Sequence, residues 1–207
     1  MQNAGQDESS FSDIAVFDFD GTLTTKDSFF RFLAWRRPRL QLAADLIGTS
    51  PLLALYAARL VGNDAHKMSM FARRFAGMKS ADFNSLSHEF SLMEIPQILR
   101  APAVDRLLYH RDLGHRTVIV SASIGSWIEP WASTLGIDSV IASRIEVQGN
   151  RLTGRMDGVN CYGPEKLRRL LALYPDRGSY RLHAYGDSRG DAALLGAADH
   201  GYYRRFA

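Results

Sequence analysis

The chain has 207 residues, 46% of them apolar and 23% charged, which excludes a disordered, collagenous or low-complexity protein and favours one core with a sizeable insertion over two large domains. Its 25 basic and 22 acidic side chains leave a net charge of +3, carried by arginine because Lys26, Lys67, Lys79 and Lys166 are the only lysines. So small a surplus suits an anionic substrate or an acidic lipid surface, and it falls short of the concentrated basic stripe that nucleic-acid binding needs.

Residues 1–12 are polar, lack the basic flank and apolar run of a secretory signal, and are expected to form a flexible tail. Ile14, Ala15, Val16 and Phe17 then make an unbroken apolar run that ends at Asp18, the pattern of a strand covered on both faces of a parallel sheet. Asp18 and Asp20, followed by Gly21, read as a sharp loop aiming two carboxylates at one point, although paired aspartates are also common turn-formers. Asp27 and Ser28, just before Phe29, Phe30 and Phe32, look like a helix start.

About one hundred residues follow with helical periods and no strand pattern. Residues 40–62 are strongly apolar, but Asp45, Arg59 and the break at Gly48, Thr49, Ser50 and Pro51 divide them into two short helices rather than one membrane span. With Arg36, Arg37 and Arg39 before it, this pair could rest on an anionic bilayer or pack inside the insertion. Met68, Phe71, Ala72 and Phe75 form one helical stripe stopped by Gly77; Phe83, Leu86, Phe90 and Met93 form another, started near Ser80 and stopped before Pro96.

The second half alternates strands and helices. Val104, Leu107 and Leu108 follow Pro102 as a helix, and Val118, Ile119 and Val120 repeat the strand pattern and end at Ser121. Trp127, Ile128, Trp131 and Leu135 make the next helix. Ile145 to Val147 and Arg151 to Met156 read as a small hairpin, and Pro164 opens a helix that carries Lys166 in its first turn. A weaker apolar run over residues 180–185 ends at Gly186 and Asp187, and Tyr202 to Phe206 look like an edge strand whose arginines are solvated. The six histidines show no metal-ligand spacing and are given no catalytic task; Cys161, the only cysteine, precludes an internal disulfide and favours a reducing compartment, the cytoplasm.

Three predicted strands thus deliver polar groups at their carboxyl ends, where open α/β sheets place their ligand crevice. The predicted fold is α/β: a Rossmann-like parallel sheet core formed by residues 13–28 and 101–207, with a helical cap inserted over residues 29–100. Asp187 and Asp191 add two carboxylates to Asp18 and Asp20. Such a concentration of charge is unfavourable without a cation, and hard oxygen donors at an open site suit Mg²⁺ beside a phosphate. Lys166 sits where a helix dipole disfavours a cation by up to about 1 kcal/mol, so a neighbouring anion would explain its place.

These segments resemble the four motifs of the haloacid dehalogenase superfamily in order and spacing: Asp18 to Thr24 as the first (DxDGT), Ser121 as the second, Lys166 as the third and Gly186 to Asp191 as the fourth. The long helical insertion resembles the subclass of phosphoserine phosphatases and phosphatidylglycerophosphatase C-like enzymes. The resemblance implies an Mg²⁺-dependent phosphatase in which Asp18 is the nucleophile that becomes an aspartyl-phosphate and Asp20 is first acid, then base. It further implies that Asp18, the Asp20 backbone carbonyl and Asp187 hold Mg²⁺, supported by Asp191. Ser121 would bind a phosphoryl oxygen, Lys166 would neutralise the phosphate, and Gly21 and Thr22 would shape the loop. Asp27 and Ala122 would touch substrate, Asp27 reading equally as a helix start.

Gly21 and Gly190 depart from the phosphoserine phosphatase pattern, which often has Ser and Asn there, whereas Asn160 to Lys166 resemble the phosphatidylglycerophosphatase C-like group. A lipid phosphate such as phosphatidylglycerophosphate is therefore the first expectation for the substrate, a small soluble ester such as phosphoserine the alternative. A cytoplasmic enzyme with peripheral membrane contact is expected. A catalytically silent phosphate- or membrane-binding module would require a lost motif residue, and none is lost.

Overall fold

The computed structural model describes residues 13–36 and 63–206. The expected N-terminal tail and the apolar 40–62 stretch lie outside them. β1 (Ile14–Asp18), β2 (Arg116–Ile124), β3 (Ser139–Ser143), β6 (Leu182–Gly186) and β7 (His200–Tyr203) form a fully parallel sheet in the order β3-β2-β1-β6-β7. β4 (Ile145–Gln148) and β5 (Arg151–Met156) form the expected antiparallel hairpin across a two-residue turn.

Both faces of the sheet are covered, which explains the unbroken apolar runs. Ala15 and Phe17 of β1 point into one core with Ile119, Trp127 and Tyr185; Ile14 and Val16 point into the other with Val118, Val120, Leu182 and Leu170. Six helices follow their predicted signals, α1 (Ser28–Ala34), α2 (Asn63–Phe75), α3 (Ser80–Met93), α4 (Ala101–Asp112), α5 (Gly125–Thr134) and α6 (Pro164–Leu173), and the short α7 (Ala192–Gly196) follows the last acidic motif. Prolines stand in the first turn of α4 and α6, where the missing N–H has no helical partner in any case.

The helices between β1 and β2 share a core with the sheet. Phe32 of α1 stacks on Trp127 of α5 at 4.5 Å and meets Phe75, Phe83 and Phe90 at 5.0 to 5.8 Å, offset and edge-on contacts of the kind aromatic rings favour.

Three details differ from the sequence reading. β3 goes unassigned in the sequence reading: its apolar run is only Val140, Ile141 and Ala142 between two serines, and it is an edge strand with half-exposed Ser139, Val140 and Ile141. The last strand begins at His200, earlier than expected, in register with His183. Arg204 is not simply solvated: its Nε donates to the Asp187 backbone carbonyl at 2.9 Å.

Candidate functional site

β1 lies between β2 and β6, whose connections leave it in opposite directions. Strand order reverses at β1 and β6, and ligands of open α/β sheets bind at the carboxyl ends beside such a reversal. Asp18 closes β1 and pairs in register with Val120, one residue before Ser121; Phe17 pairs with Tyr185, two residues before Asp187. Strand register alone therefore gathers Asp18, Ser121 and Asp187 at one edge. A cavity of about 490 Å³ opens there, with Asp18, Asp20, Ser121, Ala122 and Lys166 on its wall, and Asp27, Phe29 and Lys67 reaching it from α1 and α2.

After β1 the chain turns sharply through Phe19–Leu23. Gly21 has φ +84°, and a Cβ there would lie 2.5 Å from an Asp187 carboxylate oxygen, so both backbone shape and space demand glycine. Arg100 fixes the same turn by donating to the Gly21 and Thr22 carbonyls at 3.0 and 3.1 Å, and the Thr22 hydroxyl donates to Asp187 at 3.4 Å. Gly21→Ala is expected to destabilise the protein by about 1–3 kcal/mol, measured as the shift in a denaturant midpoint; an unshifted midpoint would show that the turn relaxes freely.

Lys166 is buried and donates to Asp18 Oδ1 at 2.5 Å and to Asp191 Oδ1 at 2.6 Å. Burial opposes its charge, but the two carboxylates outweigh it and hold the ammonium above its ordinary range. Burial pushes the Asp18 carboxyl up to about 7; Lys166 pulls it down and Asp191 pushes it further up. Asp187 is also raised, by burial and by Asp191. Carboxylate oxygens of Asp18, Asp187 and Asp191 lie within 4.8 Å of one another. Three acids against one lysine leave uncompensated negative charge, and an all-oxygen donor set of this kind fits Mg²⁺.

The hydrogen bonds divide the roles within that cluster. Asp191 is fully engaged, with Lys166 on Oδ1, and on Oδ2 the Asp187 and Ser188 backbone N–H groups and the Ser188 hydroxyl. It holds the loop and the lysine, which leaves Asp18 and Asp187 as the carboxylates free to take an ion. Ser188 caps the turn that follows. The neighbouring Glu165 carboxylate binds Arg168 and Arg169.

Asp20 is held from both sides: Oδ1 accepts from the Ser28 backbone N–H at 2.6 Å and Oδ2 from the Ser123 hydroxyl at 2.5 Å. Burial first, and Asp27 second, raise its pKa against these bonds. Asp27 is a helix start, as one of its two sequence readings has it, and it also lies on the cavity wall. It caps α1 through the Phe30 N–H at 3.1 Å, and it faces the cavity in a 2.8 Å pair with Lys67.

The cavity contains residues the sequence reading passed over. Ser123 had a signal, since it stands two residues from Ser121 and bonds it at 3.0 Å. Lys67 had only its rarity among the cations. Tyr162 explains the departure at Gly190: a Cβ at that position would lie 2.4 Å from the Tyr162 ring, so this ring occupies the space an Asn side chain would need. Cys161 is packed in the core, its thiol pushed up to about 11 by burial, which removes it as a nucleophile at neutral pH.

Comparison with known proteins gives the same family. The chain is 36% identical over 198 residues to protein CicA of Caulobacter vibrioides, covering 93% of this chain and 86% of CicA. It is 29% identical over 196 residues to a probable phosphatase of Mycobacterium tuberculosis, covering 90% of this chain and 66% of that one. Its fold is shared with a protein of unknown function from Bordetella pertussis Tohama I, with a TM-score of 0.75, 23% identity and coverage of 91% and 88%. The haloacid dehalogenase-like hydrolase model matches residues 15–196, from the first strand through the last acidic motif, and the chain belongs to that family.

Proposed function

We propose that this hydrolase is a phosphatase of phosphate monoesters that works through a phosphorylated Asp18, with Mg²⁺ held by the Asp18 and Asp187 carboxylates and the Asp20 backbone carbonyl. The observation that carries the reading is the cluster of Asp18, Asp187 and Asp191 around one buried lysine, on a cavity that also presents Asp20 and Ser121. A relative that is a probable phosphatase supports the same reaction class.

When bound, Mg²⁺ screens the repulsion between an anionic nucleophile and an anionic ester and stabilises charge on the phosphoryl oxygens. The remaining work falls to the chain. One oxygen of Asp18 attacks phosphorus, a new P–O bond forms and the ester P–O bond breaks, while Lys166 holds the other oxygen and fixes the angle of attack. Asp20 gives its proton to the departing oxygen. A carboxyl kept protonated by burial and by Asp27 suits that task. It then takes a proton from the water that attacks the aspartyl-phosphate, releasing phosphate and restoring Asp18. Ser121 donates a hydrogen bond to a phosphoryl oxygen.

Residues 29–100 act as the cap in this proposal, and Asp27 and Ala122 contact the leaving group. The proposed leaving group is a lipid alcohol. Asn160 and Tyr162, from the stretch that resembles the phosphatidylglycerophosphatase C-like group, line the cavity together with the apolar Phe29 and Met156. Access from an anionic membrane would involve Arg36 and the residues after it. Among the described residues, no helix is long and apolar enough to cross a membrane.

A panel of phosphate esters, including phosphatidylglycerophosphate in mixed micelles, tests both levels. Phosphate release with Mg²⁺ that stops on chelation is expected, with the lipid preferred. No release from any ester would overturn the phosphatase reading, and preference for a soluble ester would overturn only the lipid part.

A further inference from the structure

The opposite edge of the sheet gathers a second set of ionisable side chains. Asp13 immediately precedes β1, His115 precedes β2, His183 is the second residue of β6 and His200 opens β7. β1 has five residues, so this edge lies roughly 16 Å from Asp18. Parallel pairing of β1 with β2 and β6 places Asp13, His115 and His183 side by side although they are far apart in the chain.

Asp13 is buried, and its Oδ1 accepts from Arg181 Nε at 3.0 Å. Its Oδ2 lies 3.1 Å from His183 Nε2 and 3.9 Å from His115 Nε2. Donor atoms from the three residues all fall within 4.8 Å of one another. An ion bound tetrahedrally by nitrogen and oxygen at about 2.0–2.2 Å spaces its donors roughly 3.3 Å apart, close to the distances seen.

Hydrogen bonds alone leave the cluster incomplete. With its proton on Nε2, His183 donates to Asp13, but its buried Nδ1 has no partner. With the proton on Nδ1, that N–H still lacks a partner and a bare Nε2 lone pair faces a carboxylate oxygen. A cation between them turns that repulsion into two bonds. Behind His115 the partners are already in place: its Nδ1 lies 2.9 Å from His110 Nδ1, and His110 Nε2 lies 2.9 Å from the Tyr185 hydroxyl. Of the two proton orders this chain allows, the one in which His115 Nδ1 donates to His110 and His110 Nε2 donates to Tyr185 leaves His115 Nε2 unprotonated, the arrangement that orients a ligating imidazole.

We propose that Asp13, His115 and His183 form a second metal site, for a divalent transition ion of the zinc type. Two imidazoles and one carboxylate favour such an ion over Mg²⁺, which prefers the oxygen-only cluster at the cavity. The side chains of His115 and His183 are 19% and 14% exposed, so an ion can enter and a water can complete the tetrahedron. The ion clips together the beginnings of β1, β2 and β6. It therefore acts on stability at a distance from the cavity, and the inference does not depend on the phosphatase proposal.

The test uses the untagged full chain, stripped with chelator and returned to saturating Mg²⁺, with Zn²⁺ titrated by equilibrium dialysis and Co²⁺ by visible absorption. One equivalent of Zn²⁺ is expected to bind and raise the melting temperature. Affinity should fall roughly tenfold or more in His115→Gln and His183→Gln and persist in Asp187→Asn, which alters the other cluster. If His183→Gln does not fold, the partly exposed His115→Gln decides alone. No Zn²⁺ uptake in the presence of Mg²⁺, or uptake unchanged in His115→Gln, would overturn the proposal.

Discussion

Asp18→Asn is expected to reduce phosphate-ester turnover by about 10⁴-fold or more, because it removes the attacking oxygen while keeping the side chain's shape. The same substitution should stabilise the metal-free protein above neutral pH. The Asp18 carboxyl is raised from 3.8 to about 7, chiefly by burial. Between those values the native state keeps a proton that the unfolded chain releases, so native stability falls as pH rises through this window and levels off above 7. Asn carries no such proton. The melting temperature of the variant in chelator should therefore exceed that of the wild type by a margin that grows from pH 4 to pH 7 and then stays constant. Parallel melting curves across that range would mean that Asp18 is not desolvated as described.

Lys166→Met should have the opposite effect on stability. Lys166 is 2% exposed and bridges two carboxylates, so its loss leaves Asp18 and Asp191 facing each other without a counterion. Breaking a buried pair in this way costs about 3–5 kcal/mol. Turnover should fall roughly 10²-fold or more as the nucleophile loses its anchor and the phosphate loses a cation. Lys166 lowers the Asp18 pKa against burial, so its removal raises that carboxyl above 7, and the stability deficit should shrink as pH falls toward 7, where the acid holds its proton in the variant, and stay level below it. Denaturant unfolding at pH 5.5 and pH 8 checks the sign. An equal deficit at both values would argue that Lys166 contributes packing rather than charge. Arg at this position should not restore activity, since a buried site built around one ammonium offers no room for a planar guanidinium.

The two variants also separate chemistry from architecture. Both should cut turnover, yet one should raise and the other lower the stability of the metal-free chain. A site that was merely a satisfied ion-pair network would lose stability on removal of either partner.

Much of this site was legible in one dimension because its motifs are local. The apolar runs of β1 and β2 mark strands buried on two faces, each ending in a polar residue, and turn chemistry after β1 demands glycine at 21. Asp18, Asp20, Ser121, Lys166 and Asp187 could be picked out by type and order before any coordinates. The edge strand β3 is less plainly marked, since its run from Val140 to Ala142 is short, lies between serines and is half-exposed on the sheet edge.

What the tertiary structure decided is how residues distant in the chain divide the work. Lys166 meets Asp18 across 148 positions and Asp20 meets Ser123 across 103, distances over which no periodicity carries information. Strand order and register choose these partners. That is why Asp191 emerges as the holder of the lysine and the loop, Lys67 as the partner of Asp27, and Tyr162 as the occupant of the space beside Gly190. His115 and His183 show the same division most clearly: far apart along the polymer, they meet at Asp13 because parallel strands begin side by side. Sequence sets which chemical groups are available and where strands end; the sheet's topology alone sets which of them share an atom's reach.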